Sequence, residues 1–144
     1  MTLALDEHYC GLDLGSVRTG VALASIGDRY ASALCTLEAT STPTMCARLR
    51  TLAAEHHIKQ FVIGLPLDMR GGEGDAARRV RKVAQSISDK TGVAIELWDE
   101  RLTTSQALRS LTGTGANAHK KRKELVDQVA AVLILQSWLD ANKG

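Results

Sequence analysis

Aromatic side chains are scarce in this chain: one Phe, two Trp and two Tyr, 3% of 144 residues. A protein that holds single-stranded nucleic acid by stacking bases on aromatic faces needs more of them, so that mode is disfavoured from the outset. Cysteine is equally thin. Cys10, Cys35 and Cys46 are an odd count with no Cys-x-x-Cys pair, which argues against a zinc site and against a disulfide framework. Cys10 lies in an apolar run and reads as a small buried hydrophobe. No apolar stretch approaches the ~20 residues of a membrane-spanning helix. The opening MTLALDEHYC carries two acids and no early basic residue, so it does not read as a signal peptide, and a cytoplasmic location without membrane contact is the expectation.

What is present is globular composition, with 44% hydrophobic and 24% charged residues. That is enough for one domain, 1–144, around a real core. The formal charge of +2 settles no partner, but its distribution is uneven. Basic residues gather at Arg78, Arg79, Arg81 and Lys82, and again in HKKRK, where Lys120, Lys121 and Arg122 lie. Each cluster is either a solvated helix face or a set of contacts to a phosphate backbone.

Periodicity divides the chain cleanly. Tyr9–Leu14, Gly20–Ser25 and Tyr30–Leu37 read as three strands joined by tight turns, the second turn at Gly27-Asp28. Pro43 then opens a helix, since its missing N–H costs nothing in the first turn. Met45, Leu49, Leu52, Ala53 and His56 share one face of that helix. Gln60–Gly64 is a short, wholly apolar strand of the doubly buried kind. After the loop LPLDMRGGEG, a second helix carries a stripe of Ala76, Val80, Val83, Ala84 and Ile87, and Gly92 ends it. Val93–Trp98 is a fifth strand. Thr103 and Gln106 have capping-box spacing before a helix through Ala107, Leu108 and Leu111. TGTGAN is a loop, and a final helix runs from about Lys121 to Ala141. Three hairpin-linked strands followed by two right-handed crossovers predict an α/β fold: a five-stranded mixed sheet, order 3-2-1-4-5, strand two antiparallel, with helices on both faces.

In that arrangement strands one, four and five open their carboxyl ends on one edge, the usual place for a site in an open α/β sheet. Asp13 ends strand one, and Asp99 and Glu100 end strand five. On the last helix, Asp127 heads a face that continues through Ala130, Ala131, Ile134 and Trp138, all apolar. A carboxylate there is costly unless it is hydrogen-bonded, paired with an arginine, or bound to a cation. Three acids at one edge repel one another, and oxygen ligands suit Mg²⁺ or Mn²⁺. Two such ions beside a phosphodiester would activate water and stabilise the leaving oxygen. Within the Asp99-Glu100 pair, Trp98 and Glu100 share one side of the strand and Asp99 the other. Glu100 is favoured as the ligand for its longer reach, Asp99 stays in play, and Arg101 is placed to neutralise whichever acid is not used.

The motifs GLDLGSVRTGVALAS, FVIGLPLDMRGGEG, WDERLTTSQAL and VDQVAAVLILQSWLD, in this order, resemble the YqgF family. It is also called RuvX and is similar to RuvC in its ribonuclease H-like fold. The resemblance covers nearly the whole chain. It implies a Mg²⁺- or Mn²⁺-dependent nuclease, associated with maturation of the 16S ribosomal RNA precursor and earlier proposed to resolve Holliday junctions in DNA. It implies Asp13 as first-strand acid, the acidic pair of Asp99 and Glu100 as the second, and Asp127 as last-helix acid. It also implies matches at Gly15, Arg18, Gly20, Gly64 and Pro66. Arg18 is the nearest basic candidate for a substrate phosphate, with Arg101 and the HKKRK cluster as further contacts. RuvC-like resolvases carry two acids on the last helix and work as dimers on a two-fold symmetric junction. Here Ala130 and Ala131 occupy the next positions on that face, which weighs against junction resolution more than against nuclease chemistry.

Two other classes fit parts of the pattern. An actin-like ATPase or sugar kinase also places Asp-x-Gly between two strands, but uses two such domains to clasp its nucleotide, and this chain supplies one. A non-catalytic nucleic-acid-binding module of the same fold would have no need to keep all three acids.

Overall fold

The computed structural model describes residues 6–38, 41–103 and 116–142, with residues 116–124 described by backbone alone. The elements are β1 (His8–Leu14), β2 (Arg18–Ser25), β3 (Ser32–Glu38), α1 (Thr42–His56), β4 (Ile58–Leu65), α2 (Asp75–Thr91), β5 (Ala94–Asp99), a 3₁₀ turn (Glu100–Leu102) and α3 (Ala116–Asn142). The five strands form one sheet in the order β3-β2-β1-β4-β5. β2 runs antiparallel to both its neighbours, while β1, β4 and β5 run parallel. This is the topology expected from the strand pattern.

Alternation along the strands sorts the core into two layers. Cys10, Leu12, Leu14, Val21, Leu23, Phe61, Ile63 and Leu65 face α1 and α2, meeting Met45, Leu49, Val80, Val83 and Ile87. Ala22, Ala24 and Val62 face the other way, against Ala131, Ile134, Leu135, Trp138 and Leu139 of α3. The residues under α3 are small, and three of them are glycines. A Cβ on Gly11 would lie 2.7 Å from Leu135 Cβ, one on Gly64 2.6 Å from Ile134 Cδ1, and one on Gly20 inside the main-chain oxygen of Asp127. The sheet therefore presents bare backbone where α3 crosses it, and the helix is seated at close range.

Local signals explain the boundaries. Ser41 caps α1 by accepting from the Thr44 N–H at 3.3 Å, with Pro43 in the first turn. Left-handed Gly92 (φ 69°) closes α2. Three expectations need correction. Strand three begins at Ser32, and Tyr30 is exposed, because Gln136 of α3 takes the local backbone: its Nε2 donates to Arg29 O at 2.7 Å and its Oε1 accepts from Ala31 N at 2.9 Å. Ala77, not Ala76, enters the core stripe of α2, since a helix starting at Asp75 turns 77, 80, 84 and 87 inward. α3 begins at Ala116, so Ala116 and Asn117 are helical and the helix starts before Lys121. Thr103 ends the 3₁₀ turn, its hydroxyl donating to Glu100 O at 2.9 Å, while its expected capping-box partner Gln106 lies outside the described residues. The helix expected over Gln106, Ala107, Leu108 and Leu111 lies outside the described residues, as do the side chains of Lys120, Lys121 and Arg122.

Candidate active site

Asp13 is 2% exposed near the end of β1, on the face that receives α3. The register explains how a carboxylate fits there. Its Cα partner on β2 is Gly20, and because Leu12 pairs with Ile63, Gly64 comes next beside it on β4. Neither flanking residue has a side chain, so the space beside Asp13 on each strand is left to other elements, and over Gly20 the Asp127 main chain takes it.

Glu100 takes up one of those spaces. It belongs to the 3₁₀ turn after β5 and is also 2% exposed. A Cβ on Gly64 would lie 2.8 Å from Glu100 Cγ and 2.9 Å from its Oε1, so the side chain lies across the bare Gly64 backbone toward β1. The turn is anchored to α3: Trp98 Nε1 donates to Ser137 Oγ at 3.0 Å, and that hydroxyl donates to Leu102 O at 3.3 Å. Burial, and secondly the charge of Asp99, push the Glu100 carboxyl up to about 7.

Asp99 is placed differently. Both of its oxygens accept from Arg101 Nε, at 3.1 and 3.0 Å, and Oδ2 also accepts from Nη2 at 2.7 Å. The guanidinium holds this carboxyl below its usual range. Arg101 also donates from Nη1 to Met69 O at 3.4 Å, tying the β4–α2 loop to the end of β5. That loop is shaped by Asp68, whose Oδ1 accepts from the N–H groups of Arg70 and Gly72 at 2.9 and 2.7 Å.

Asp127 comes from α3 and pairs with Arg18 of β2, Nε to Oδ2 at 3.0 Å, with the two side chains 16% and 19% exposed. Asp13, Gly15, Ser16, Arg18 and Asp127 line one cavity of about 340 Å³ at the sheet edge. Glu100 does not line it. The structure thus brings Asp13, Arg18 and Asp127 around one space, seats Glu100 over the neighbouring strand, and leaves Asp99 with Arg101. All three carboxylates offered as ligands carry hard oxygen donors, which fit Mg²⁺ or Mn²⁺ in kind. Among the described residues no three His, Cys, Asp or Glu form one such cluster, so an ion here would rest on one or two of these carboxylates together with water or substrate oxygens.

Arg79 is a residue that sequence reasoning did not single out. Its neighbours in the basic cluster are engaged by acids: Arg78 by Asp75, and Arg81 by Glu73 through two bonds of 2.6 Å. Arg79 instead donates from Nη2 to the main-chain oxygen of Leu14 at 3.2 Å, and Leu14 is one of the residues lining the cavity. The i,i+3 spacing of Asp75 and Arg78 was a legible hint that the cluster divides.

Comparison with known proteins places these features in a family. Residues 7–141 match the RuvX family model, described as Holliday junction resolvase. A protein of Myxococcus xanthus named "Putative pre-16S rRNA nuclease" is 44% identical over 133 residues, covering 92% of this chain and 87% of that protein. One of the same name from Thermoanaerobacter pseudethanolicus is 35% identical over 134 residues, covering 93% and 96%. Among solved structures, Thermus thermophilus RuvC in complex with a Holliday junction aligns with a TM-score of 0.61 at 12% identity, over 96% of this chain and 98% of the other. Fowlpox virus resolvase aligns with a TM-score of 0.53 at 6% identity, over 93% and 97%. At such identities the structural likeness speaks to fold alone, and the fold is that of the RuvC-like resolvases.

Proposed function

The chain belongs to the RuvX family, and from that premise we propose that it is a metal-dependent nuclease that hydrolyses phosphodiester bonds in maturing the 5′ end of the 16S ribosomal RNA precursor. The substrate follows the name carried by relatives that match over nine-tenths of the chain. One observation carries the chemistry. Two acids, Asp13 and Glu100, are each 2% exposed at the carboxyl edge of the sheet, next to a cavity that also holds Asp127 and Arg18. A fold that needed only a core would fill these positions with apolar side chains, because burying a carboxylate is costly.

Asp13, Glu100 and Asp127 are the residues that would hold Mg²⁺ or Mn²⁺. Two such ions, when bound, would supply an activated water and offset the charge on the leaving oxygen. The chain itself does the rest. β1 and the 3₁₀ turn fix their acids on rigid backbone, and the glycines at 20 and 64 set the depth at which those acids sit. Arg18, Arg79 and Arg101, with Lys120, Lys121 and Arg122 of the second cluster, would hold the polyanion. Glu100 must lose its proton to serve as ligand, and a nearby divalent charge favours that form.

Junction cleavage is the second reading, favoured by the family description. Ala130 and Ala131 are both fully buried, so the positions that follow Asp127 on this face carry no acid, which weighs on the side of the ribosomal substrate. A homodimer belongs with the junction reading, whose substrate has two-fold symmetry.

The test uses purified protein with Mn²⁺ on precursor RNA and on branched DNA. Cleavage that Asp13→Asn abolishes, with folding intact, is the expected result; equal residual cleavage by both proteins would remove Asp13 from the site. Sequencing ribosomal RNA ends in depleted cells then separates the substrates, since normal ends would return the DNA reading.

A further inference from the structure

Asp127 serves as a metal ligand and Arg18 as a phosphate contact in the proposed nuclease, yet the two are bonded to each other. That bond occupies Oδ2 of Asp127 and the Nε–H of Arg18, and sets a positive charge against the carboxylate that an ion would share. We infer that Arg18 and the divalent ion exchange places on Asp127, so that loading the metal releases Arg18 toward the substrate phosphate. The inference rests on the metal-dependent reading and deepens it.

The geometry makes this exchange local. β2 and α3 are in close contact at the pair, since a Cβ on Gly20, two residues after Arg18, would overlap the main-chain oxygen of Asp127. The exchange needs only the two side chains to turn. Both stand at the wall of a cavity of about 340 Å³, which has room for roughly ten waters at about 30 Å³ each. A hydrated ion and a phosphate group therefore fit in the same space. Asp13 lies on that wall too, so an ion drawn in by Asp13 arrives beside Asp127. A guanidinium and a divalent cation on one carboxylate repel at short range, and a small, doubly charged ion is the stronger ligand for oxygen. Arg18, once displaced, keeps its five-donor fork, suited to grip two oxygens of a phosphate. It remains fixed to the sheet edge by the strand that bears it.

This makes Arg18 a positioning residue as well as a substrate contact: it keeps Asp127 neutralised and aimed at the cavity. The test measures ion binding directly. Isothermal titration with Mn²⁺ should show Arg18→Met binding about tenfold tighter than the wild type, since the competing cation is gone. Asp127→Asn should cancel that gain, and Arg18→Met should still cleave more slowly. Arg18→Lys should restore wild-type Mn²⁺ affinity but only part of the cleavage, because a lysine is a point charge without the planar fork. The wild type gives a second readout that needs no substitution. The Arg18 Nε–H resonance should shift and exchange faster with solvent at saturating Mg²⁺. Equal or weaker Mn²⁺ binding by Arg18→Met, or an Nε–H signal indifferent to Mg²⁺, overturns the exchange alone. Absence of ion binding in both wild type and Arg18→Met overturns the metal reading and the exchange with it.

Discussion

Arg79 reaches from α2 to the end of β1 and donates from Nη2 to the main-chain oxygen of Leu14 at 3.2 Å. Leu14 follows Asp13 directly, so this bond fixes a guanidinium one residue from the candidate catalytic acid. Arg78 and Arg81 beside it are held by the carboxylates of Asp75 and Glu73, whereas among the described residues Arg79 is bonded to a neutral main-chain oxygen and to no carboxylate. Its positive charge is therefore left to act on the edge where substrate would lie.

Arg79→Ala should weaken binding of precursor RNA and flatten its salt dependence, by about 0.7 in the slope of log K against log salt for a single strand and about 0.9 for a duplex. Arg78→Ala, which removes a charge already engaged, should move the slope less. Filter binding across a salt series measures both, and equal slopes for the two variants would return Arg79 to the solvated face.

The glycines under α3 separate stability from activity. Gly20→Ala would drive a methyl into the Asp127 carbonyl, backbone against backbone, with neither side free to yield. A loss at or above the top of the ~1–3 kcal/mol range for overpacking should follow, together with loss of cleavage. Gly64→Ala meets the Ile134 Cδ1 and the Glu100 side chain instead, and both can rotate. Urea denaturation should place its cost near the bottom of that range, while cleavage falls steeply because Glu100 is pushed from its seat. A Gly64→Ala enzyme that cleaves normally would show that the Glu100 position is not critical.

Glu100 gives a pH signature of unusual sign for an acid. Burial raises its carboxyl from the ordinary 4.5 to about 7, so between those values the folded state holds more proton than the unfolded chain. Stability from this group is highest below 4.5, falls as pH rises through the window, and is flat above about 7. Glu100→Gln should lose that fall and be the more stable protein at about pH 8. Urea midpoints of both proteins at about pH 5 and about pH 8, without divalent ions, check it; parallel trends would mean Glu100 is not held protonated.

Much of the fold and of the candidate site is legible in the residue pattern alone. Cys10, Leu12 and Leu14 alternate with Tyr9, Gly11 and Asp13, and that two-residue period places Asp13 on the opposite face from the Cys10 core. The apolar run at Val62 and Ile63 marks a strand covered on both sides, and hairpin spacing with right-handed crossovers orders the sheet. Asp127 at the head of Ala130, Ala131, Ile134 and Trp138 points one acid at that sheet. The 3₁₀ turn that carries Glu100 is less visible, since three residues leave no periodicity to read.

Chain order by itself determined the α/β class, the strand order and which acids reach the carboxyl edge, because these follow from local period and the handedness of connections. Only the tertiary structure decided what each acid meets there. Arg18 and Asp127 are 109 residues apart, Arg79 and Leu14 are 65 apart, and Gly64 leaves the space that Glu100 fills from the turn after β5. The first and last of these depend on how closely α3 can approach the sheet. That distance is set by glycines, whose missing side chains leave no periodic mark to say what will occupy the space.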